Sequence, residues 1–422
     1  MSNGDTLAIL VGGGPAPGIN GVIASATIEA INSGLNVIGL FDGYRHIALG
    51  DATQFTPLSI EDVSRIHVRG GSILRTSRTN PAKDPATLLR CVEALDTLGV
   101  RYLMCIGGDD TTYGATQIAA ATNGRIGVVA VPKTIDNDLP LPDNAPTFGF
   151  ETARSVGTGI VENLLEDART TVRWYLCVSM GRTSGSLALG ICKAAGATLG
   201  IIPEEFERTS ASLDTVADTI VGAIVKRRAN GHDYGVAVIA EGVGEFLSAA
   251  DLAALRDVPR DAFGHVRLAE VPIANVLRES VHTRLEALGI DLTVVAKDIG
   301  YELRCAKPVP FDVEYTRTLG YGAVRYLLRG GSGALVALSG GRVRPLLLDE
   351  LRDPQTGRVR IRTIDVHTEG YEVARSYMIR LEPSDLMEPQ LARLAAQTNL
   401  TPEAFRTRFA PVASRIPSPP EA

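Results

Sequence analysis

Residues 101–115 read RYLMCIGGDDTTYGA. The apolar run Tyr102 to Ile106 has the length of a buried strand, and it ends in Gly107 and Gly108 followed at once by two carboxylates, Asp109 and Asp110. A short strand opening into a polar, glycine-rich loop recurs along the chain. Leu7 to Val11, Val37 to Leu40, Val128 to Val131, Leu176 to Ser179, Val236 to Ala240 and Leu335 to Leu338 read as further buried strands. Between them Ile19 to Asn32, Pro85 to Leu98, Ser155 to Ala168, Thr209 to Arg228 and Ala269 to Leu288 carry helical patterns. Strand and helix in turn predict an α/β fold with doubly wound parallel sheets covered by helices on both faces.

The 422 residues exceed one ordinary core and predict two domains. Hydrophobic residues at 45% and charged residues at 21% exclude wholesale disorder. A net charge of −6, with no long basic block to release counterions, argues against a nucleic-acid partner. The five cysteines (Cys91, Cys105, Cys177, Cys192, Cys305) form no CxxC pair, which fits a reducing cytoplasm better than a disulfide framework or a zinc site. The start, MSNGDTLAILVGGG, has no basic leader. SLALGICKAAGATLGII (186–202) is broken by Lys193 and glycines, so it reads as a buried helix and a strand and not as a membrane span.

In doubly wound sheets ligands gather at the carboxyl ends of the strands. Four glycine-rich or polar loops fall there. GGGPAPGIN (12–20) follows a strand and opens a helix, so its backbone N–H groups and the helix dipole favour an anion. It matches neither a dinucleotide fingerprint nor a Walker loop, since Pro17 replaces the third glycine of the one and Ile19–Asn20 the Lys-Ser/Thr pair of the other. VPKTIDNDLP (131–140) gathers Lys133, Asp136, Asn137 and Asp138. A lysine can neutralise a phosphoryl group in transfer, and a carboxylate three residues on can take the proton of an attacking hydroxyl; the plain alternative is an Asx-rich surface turn. SMGRTSGSLALG (179–190) offers a guanidinium and hydroxyls at a helix start, which a capping serine beside a surface arginine would also give. IAEGVGEF (239–246) and IGYELRCAKPVPFD (299–312) add carboxylate, phenol and guanidinium groups, a mix that a phosphorylated sugar would need.

Together with GGSILRTSR (70–78), these segments occur in an order that resembles the phosphofructokinase family, from about Leu7 to Asp312. The resemblance implies two similar α/β domains with the active site in the cleft between them. It implies a donor domain at 1–148 plus about 307–350, and a sugar-phosphate domain at 149–306 plus about 351–422. The implied reaction is transfer of a phosphoryl group to the 1-hydroxyl of fructose 6-phosphate with Mg2+, as in glycolysis and gluconeogenesis. Carried over by position, Asp136 is the base and Asp109 the magnesium carboxylate, directly or through water; Thr134 and Asp138 position the transferring group and the sugar. Met180, Gly181, Arg182, Glu241, Tyr301 and Arg304 bind the sugar phosphate, and Arg173 stands where members reach a neighbouring subunit's site, so a homodimer or homotetramer is implied. Gly13, Gly14, Arg78, Gly108, Asp110, Thr111 and Lys133 form the donor set, with Arg78 a better match than Arg75. The sequence departs from many bacterial ATP users at Tyr301, where they carry histidine, and at Val295, where they carry arginine with Lys297 nearby here.

The family divides by donor, and Asp110 with Lys133 has the character of its pyrophosphate users. Asp110 is expected in the volume of a nucleotide's α-phosphate. Two like charges about 4 Å apart repel by about 4 kcal/mol at an effective dielectric of about 20, on the order of a thousandfold in affinity. Lys133 supplies positive charge for a donor with no adenosine to anchor it. An ATP-dependent enzyme of this fold and a non-catalytic sugar-phosphate sensor are the alternatives; the sensor predicts loss of Asp136 or Asp109, and both are present. The tail from about Glu350 carries no motif; RDPQTGRVRIRTIDV (352–366) reads as a hairpin-like excursion and SRIPSPPEA (414–422) as a frayed end.

Overall fold

The computed structural model describes residues 4–206, 212–247, 271–347, 350–351, 353 and 359–413. These residues fall into two compact units. One runs to Ala153 and resumes over Tyr301–Arg362; the other runs from Arg154 to Gly300 and resumes at Thr363.

The first unit is built on seven strands: β1 (Thr6–Val11), β2 (Asn36–Leu40), β3 (Phe55–Pro57), β4 (Val100–Gly107), β5 (Gly127–Pro132), then β10 (Ala334–Ser339) and β11 (Arg342–Leu347). Their order is β11-β10-β5-β4-β1-β2-β3, with β10–β5–β4–β1–β2 parallel and the two outermost strands antiparallel. The period of two along each strand sorts side chains to opposite faces. Leu7, Ile9, Val11, Met104, Ile106, Val129 and Val131 enter one core with the helices Ile19–Asn32 and Pro310–Leu328. Ala8, Leu10, Leu103, Cys105, Val128 and Ala130 enter the other with Pro85–Thr97 and Asp109–Ala121. Burial on both faces is why these strands are unbroken apolar runs. β11 alternates the other way: Arg342 and Arg344 are exposed and Pro345 lacks a donor, which blunts the sheet edge.

The second unit holds a four-stranded parallel sheet, β6 (Trp174–Ser179), β7 (Leu199–Ile201), β8 (Gly235–Ala240) and β9 (Val294–Ile299), in the order β7-β8-β6-β9. Its main core joins Trp174, Leu176 and Ile239 to the helices Leu213–Ala229, Ile273–Ala287 and Pro402–Ala413. The apolar stretch from Ser186 is the helix Ser186–Ala195 followed by β7, and no described helix is long and apolar enough to cross a membrane.

Every strand read from the sequence is present. β3, β9 and β11 are additional. The observed hairpin is β10 to β11, turned at Gly340 and Gly341 with φ 55° and 73°. The hairpin expected over 352–366 lies partly, and the frayed end 414–422 wholly, outside the described residues, as do 209–211 and 269–270 at the starts of two expected helices. The cysteines are free; Cys91, Cys105, Cys177 and Cys192 are buried, which pushes their thiols up to about 12, and Cys305 is exposed.

Candidate active site

In the first sheet the chain places β2 on one side of β1 and β4 on the other, so the connection order reverses between β1 and β4. Loops diverge at such a point and leave room for a ligand. The loops after β1, β4 and β5 meet there. Gly12 N–H donates to Ile106 O at 2.9 Å, Lys133 N–H to Gly107 O at 2.9 Å, and Gly13 N–H to Ser77 O at 2.8 Å. The amides of Gly12 and Gly13 are therefore engaged by carbonyls, which leaves the expectation of an anion for this loop to its later amides and to the helix start at Ile19. Positive charge comes from Lys133, whose buried ammonium donates to Gly14 O. Gly13 has φ 82°, and a Cβ there would lie 3.0 Å from Lys133 Nζ, so glycine lets the lysine lie along the loop.

Thr111 is buried behind these loops. A Cβ built on Gly12 or on Gly107 would fall 2.3 Å from the Thr111 side chain, and Tyr44 Oη donates to Thr111 O at 3.1 Å.

Asp109 and Asp110 do not sit at the mouth of a bare strand. They are the first two residues of the helix Asp109–Ala121, with Gly108 as its cap. A helix N-terminus favours negative charge by about 0.3–1 kcal/mol per group, which offsets their mutual repulsion. Consecutive helical residues also diverge by about 100° at about 3.6 residues per turn, so the two carboxylates leave the backbone in different directions. Both are half-buried.

The loop after β5 is pinned on every side. Thr134 Oγ1 accepts from Asp136 N–H at 3.0 Å, Thr147 Oγ1 donates to Thr134 O at 2.7 Å, and Thr147 N–H donates to Asn137 Oδ1 at 3.0 Å. Lys133, Thr134 and Asp138 are buried, while Asp136 keeps partial exposure. Asn137 has φ 57°, a left-handed conformation that asparagine tolerates better than most residues.

One residue of this environment has no signal in the sequence. Arg362, in the motif-free tail, donates from Nε to Asn137 O at 3.0 Å, from Nη1 to Ala145 O at 3.0 Å and from Nη2 to Asn137 Oδ1. Its backbone N–H donates to Asp138 O at 2.7 Å.

Arg304 was expected with the sugar ligands, and it lies against the loop after β1: a Cβ on Gly14 would be 3.5 Å from Arg304 Cζ. Its guanidinium covers the Tyr301 ring at 5.1 Å. Arg78 is exposed. Arg75, with φ 56°, pairs with Asp42 at 2.7 Å. Asp312, within PVPFD, is wholly buried and serves the fold: it accepts from Gly149 N–H and Thr152 N–H, both at 2.8 Å, and from Thr152 Oγ1 at 2.6 Å, holding the start of the helix Phe150–Thr171. Burial raises its carboxyl above the usual range despite those bonds.

In the second unit the loop after β6 is set by two glutamates. Buried Glu241 accepts from Gly181 N–H at 3.0 Å and Arg182 N–H at 2.6 Å, and Arg182 has φ 52° with its side chain exposed. Glu241 thus faces the backbone of the loop it was expected to share a ligand with. Met180 is buried against Gly300, where a Cβ would approach Met180 Cε to 2.8 Å. Glu204 accepts from Gly185 N–H at 2.9 Å and Ile364 N–H at 3.1 Å, and burial raises its carboxyl above the usual range. Arg173 is half-buried just before β6. Val295 and Lys297 lie on the edge strand β9.

Two sheet-built units, with a lysine and carboxylates gathered on the strand-end loops of the first and a glutamate-braced loop on the second, define an α/β protein with polar loops at its strand ends. The chain belongs to the phosphofructokinase family, whose model matches residues 6–327. It is 54% identical over 411 residues to a pyrophosphate–fructose 6-phosphate 1-phosphotransferase of Thermotoga maritima, covering 96% of this chain and 98% of that one. A protein of the same name from Naegleria fowleri is 48% identical over 417 residues, 96% and 95% of the two chains. Among solved structures, a pyrophosphate-dependent phosphofructokinase from Marinobacter aquaeolei superposes with a TM-score of 0.64 at 16% identity, over 99% of this chain and 94% of that one, a likeness of fold.

Proposed function

We propose that this chain transfers a phosphoryl group from pyrophosphate to the 1-hydroxyl of fructose 6-phosphate, giving fructose 1,6-bisphosphate and phosphate, and runs in both directions. The observation that carries the reading is the donor loop itself: Lys133 held over Gly14, with Asp110 in the first turn of the adjoining helix. Relatives at 54% and 48% identity named for pyrophosphate support it.

Asp136 takes the proton of the sugar 1-hydroxyl, and that oxygen attacks the near phosphorus of pyrophosphate while the bridging bond breaks and phosphate leaves. Lys133 offsets the negative charge on the donor oxygens, and Thr134 and Asp138 hold the reacting ends in place. Gly14, Gly108, Thr111 and Arg78 complete the donor set. Met180, Gly181 and Arg182 present the sugar-phosphate loop that Glu241 braces. Asp109 would hold magnesium: a half-buried carboxylate with substrate phosphate oxygens and water is the hard-oxygen ligand set that this ion prefers. Magnesium when bound neutralises charge on pyrophosphate. Arg173 reaches the sugar phosphate of a second copy in a homodimer or homotetramer, and the enzyme works in the cytoplasm.

The test is an assay of purified protein with fructose 6-phosphate and magnesium, offering pyrophosphate and ATP in separate reactions. Turnover with pyrophosphate at least about tenfold above ATP is expected. A preference for ATP overturns the donor assignment, and turnover with neither supports the sensor.

A further inference from the structure

We propose that Arg362 is a positioning residue for the phosphoryl-transfer loop, clamping the backbone directly after Asp136, at Asn137 and Asp138, and again at Ala145, from a segment outside the family match. The inference rests on the reading of Asp136 as the base. Arg362 lies 35 positions beyond the last matched residue, Leu327. Its fork and its own amide together reach Asn137 O, Asn137 Oδ1, Ala145 O and Asp138 O.

These four acceptors describe what is being held. Asn137 separates the two aspartates and is left-handed, so its carbonyl and side chain set how the chain turns between them. Arg362 fixes both its carbonyl and its side-chain oxygen, and the latter also receives Thr147 N–H at 3.0 Å. Ala145 O ties the far limb of the same loop. With both limbs held by one planar group, the direction in which Asp136 leaves the chain is set. A lysine cannot replace this, because one ammonium has no fork to reach carbonyls on two limbs at once. The guanidinium is also half-buried, with the Asp138 charge offsetting part of its desolvation.

The experiment uses the full chain and its Arg362→Ala and Arg362→Lys variants, assayed with fructose 6-phosphate, magnesium and whichever donor the wild type uses. Misplacement of a reacting group by about 1 Å lowers rates on the order of a hundredfold. For Arg362→Ala, kcat is expected to fall by about that factor while both KM values stay within about threefold, and added guanidinium at millimolar concentration restores part of kcat. Arg362→Lys, which keeps the charge and the backbone bond to Asp138, is expected to fold and still lose at least about tenfold in kcat. Amide hydrogen exchange, which needs no turnover, is expected to quicken over residues 133–148 in both variants and stay unchanged in β1 and β4. Wild-type kcat in Arg362→Lys, or unchanged exchange over 133–148, overturns the proposal. A wild type inactive with either donor overturns the functional reading, and the exchange result then still decides whether Arg362 holds the loop.

Discussion

The Lys133 ammonium donates to the carbonyl of Gly14, joining the loop after β5 to the loop after β1 across β4. One cation thus braces the backbone at the loops where the proposed donor would bind. Replacing Lys133 by methionine keeps the stem and removes the ammonium. We expect kcat/KM for pyrophosphate to fall at least about 100-fold, with KM for fructose 6-phosphate within about threefold. The lost hydrogen bond should lower stability by about 1–3 kcal/mol in urea unfolding. Unchanged kcat/KM would remove Lys133 from the donor site.

Asp136→Ser keeps a small polar side chain and removes the proton acceptor. A general base contributes about 10²- to 10⁴-fold, so kcat should drop by that range while equilibrium titration with fructose 6-phosphate stays near wild type. Retained turnover would reassign the base.

Asp110→Gly combined with Lys133→Gly tests donor choice. On the proposed placement of the donor, removing the carboxylate relieves repulsion toward a nucleotide, and removing the lysine withdraws the charge that favours pyrophosphate. The ratio of ATP to pyrophosphate turnover should rise by at least about tenfold. A ratio unmoved would put the discrimination elsewhere in the chain.

How far these residues could be read in advance depends on how local their signals are. β1, β4, β5, β6, β8 and β10 announce themselves because burial on both faces demands continuous apolar runs. β9 hides because its end, Lys297 and Asp298, is exposed on a sheet edge, and β11 hides behind Arg342, Arg344 and Pro345. The start of the Asp109–Ala121 helix is likewise masked, since the paired aspartates read as a strand mouth until the cap at Gly108 is seen. The polar loop of Lys133 and Asp136 is compact in sequence and so stands out. Arg362 does not, because a guanidinium reaching carbonyls 217 and 225 positions away leaves no periodic or spaced trace.

Asp312→Ala would strand three buried donors, the amides of Gly149 and Thr152 and the Thr152 hydroxyl. Each orphaned group costs about 1–3 kcal/mol where water cannot reach it, so a loss of at least about 3 kcal/mol is expected. Asp312→Asn can accept through only one oxygen and should fall between the two. Chemical denaturation of the three proteins checks the order.

The Glu204 carboxyl carries a pH signature. Burial holds it above its ordinary value of 4.5, so the folded chain binds this proton more tightly than the unfolded chain does. The stabilisation due to protonation is fully present below the unfolded value and is lost as pH rises through the folded one. Glu204→Gln keeps an acceptor for Gly185 and Ile364 and does not titrate. The stability of the wild type relative to this variant should therefore decline as the pH is raised above the ordinary value of 4.5. A flat difference as the pH rises would show that the carboxyl is not perturbed.

The packing of Thr111 has a consequence for anyone who would evolve the donor site. Gly12 follows β1 and Gly107 ends β4, yet a side chain on either would collide with the same threonine. Thr111 blocks any side chain at either glycine, so a library that varies one position at a time would find positions 12 and 107 closed. Only joint randomisation, with a smaller residue at 111 admitted alongside alanine at 12 or 107, opens paths to new donors through it.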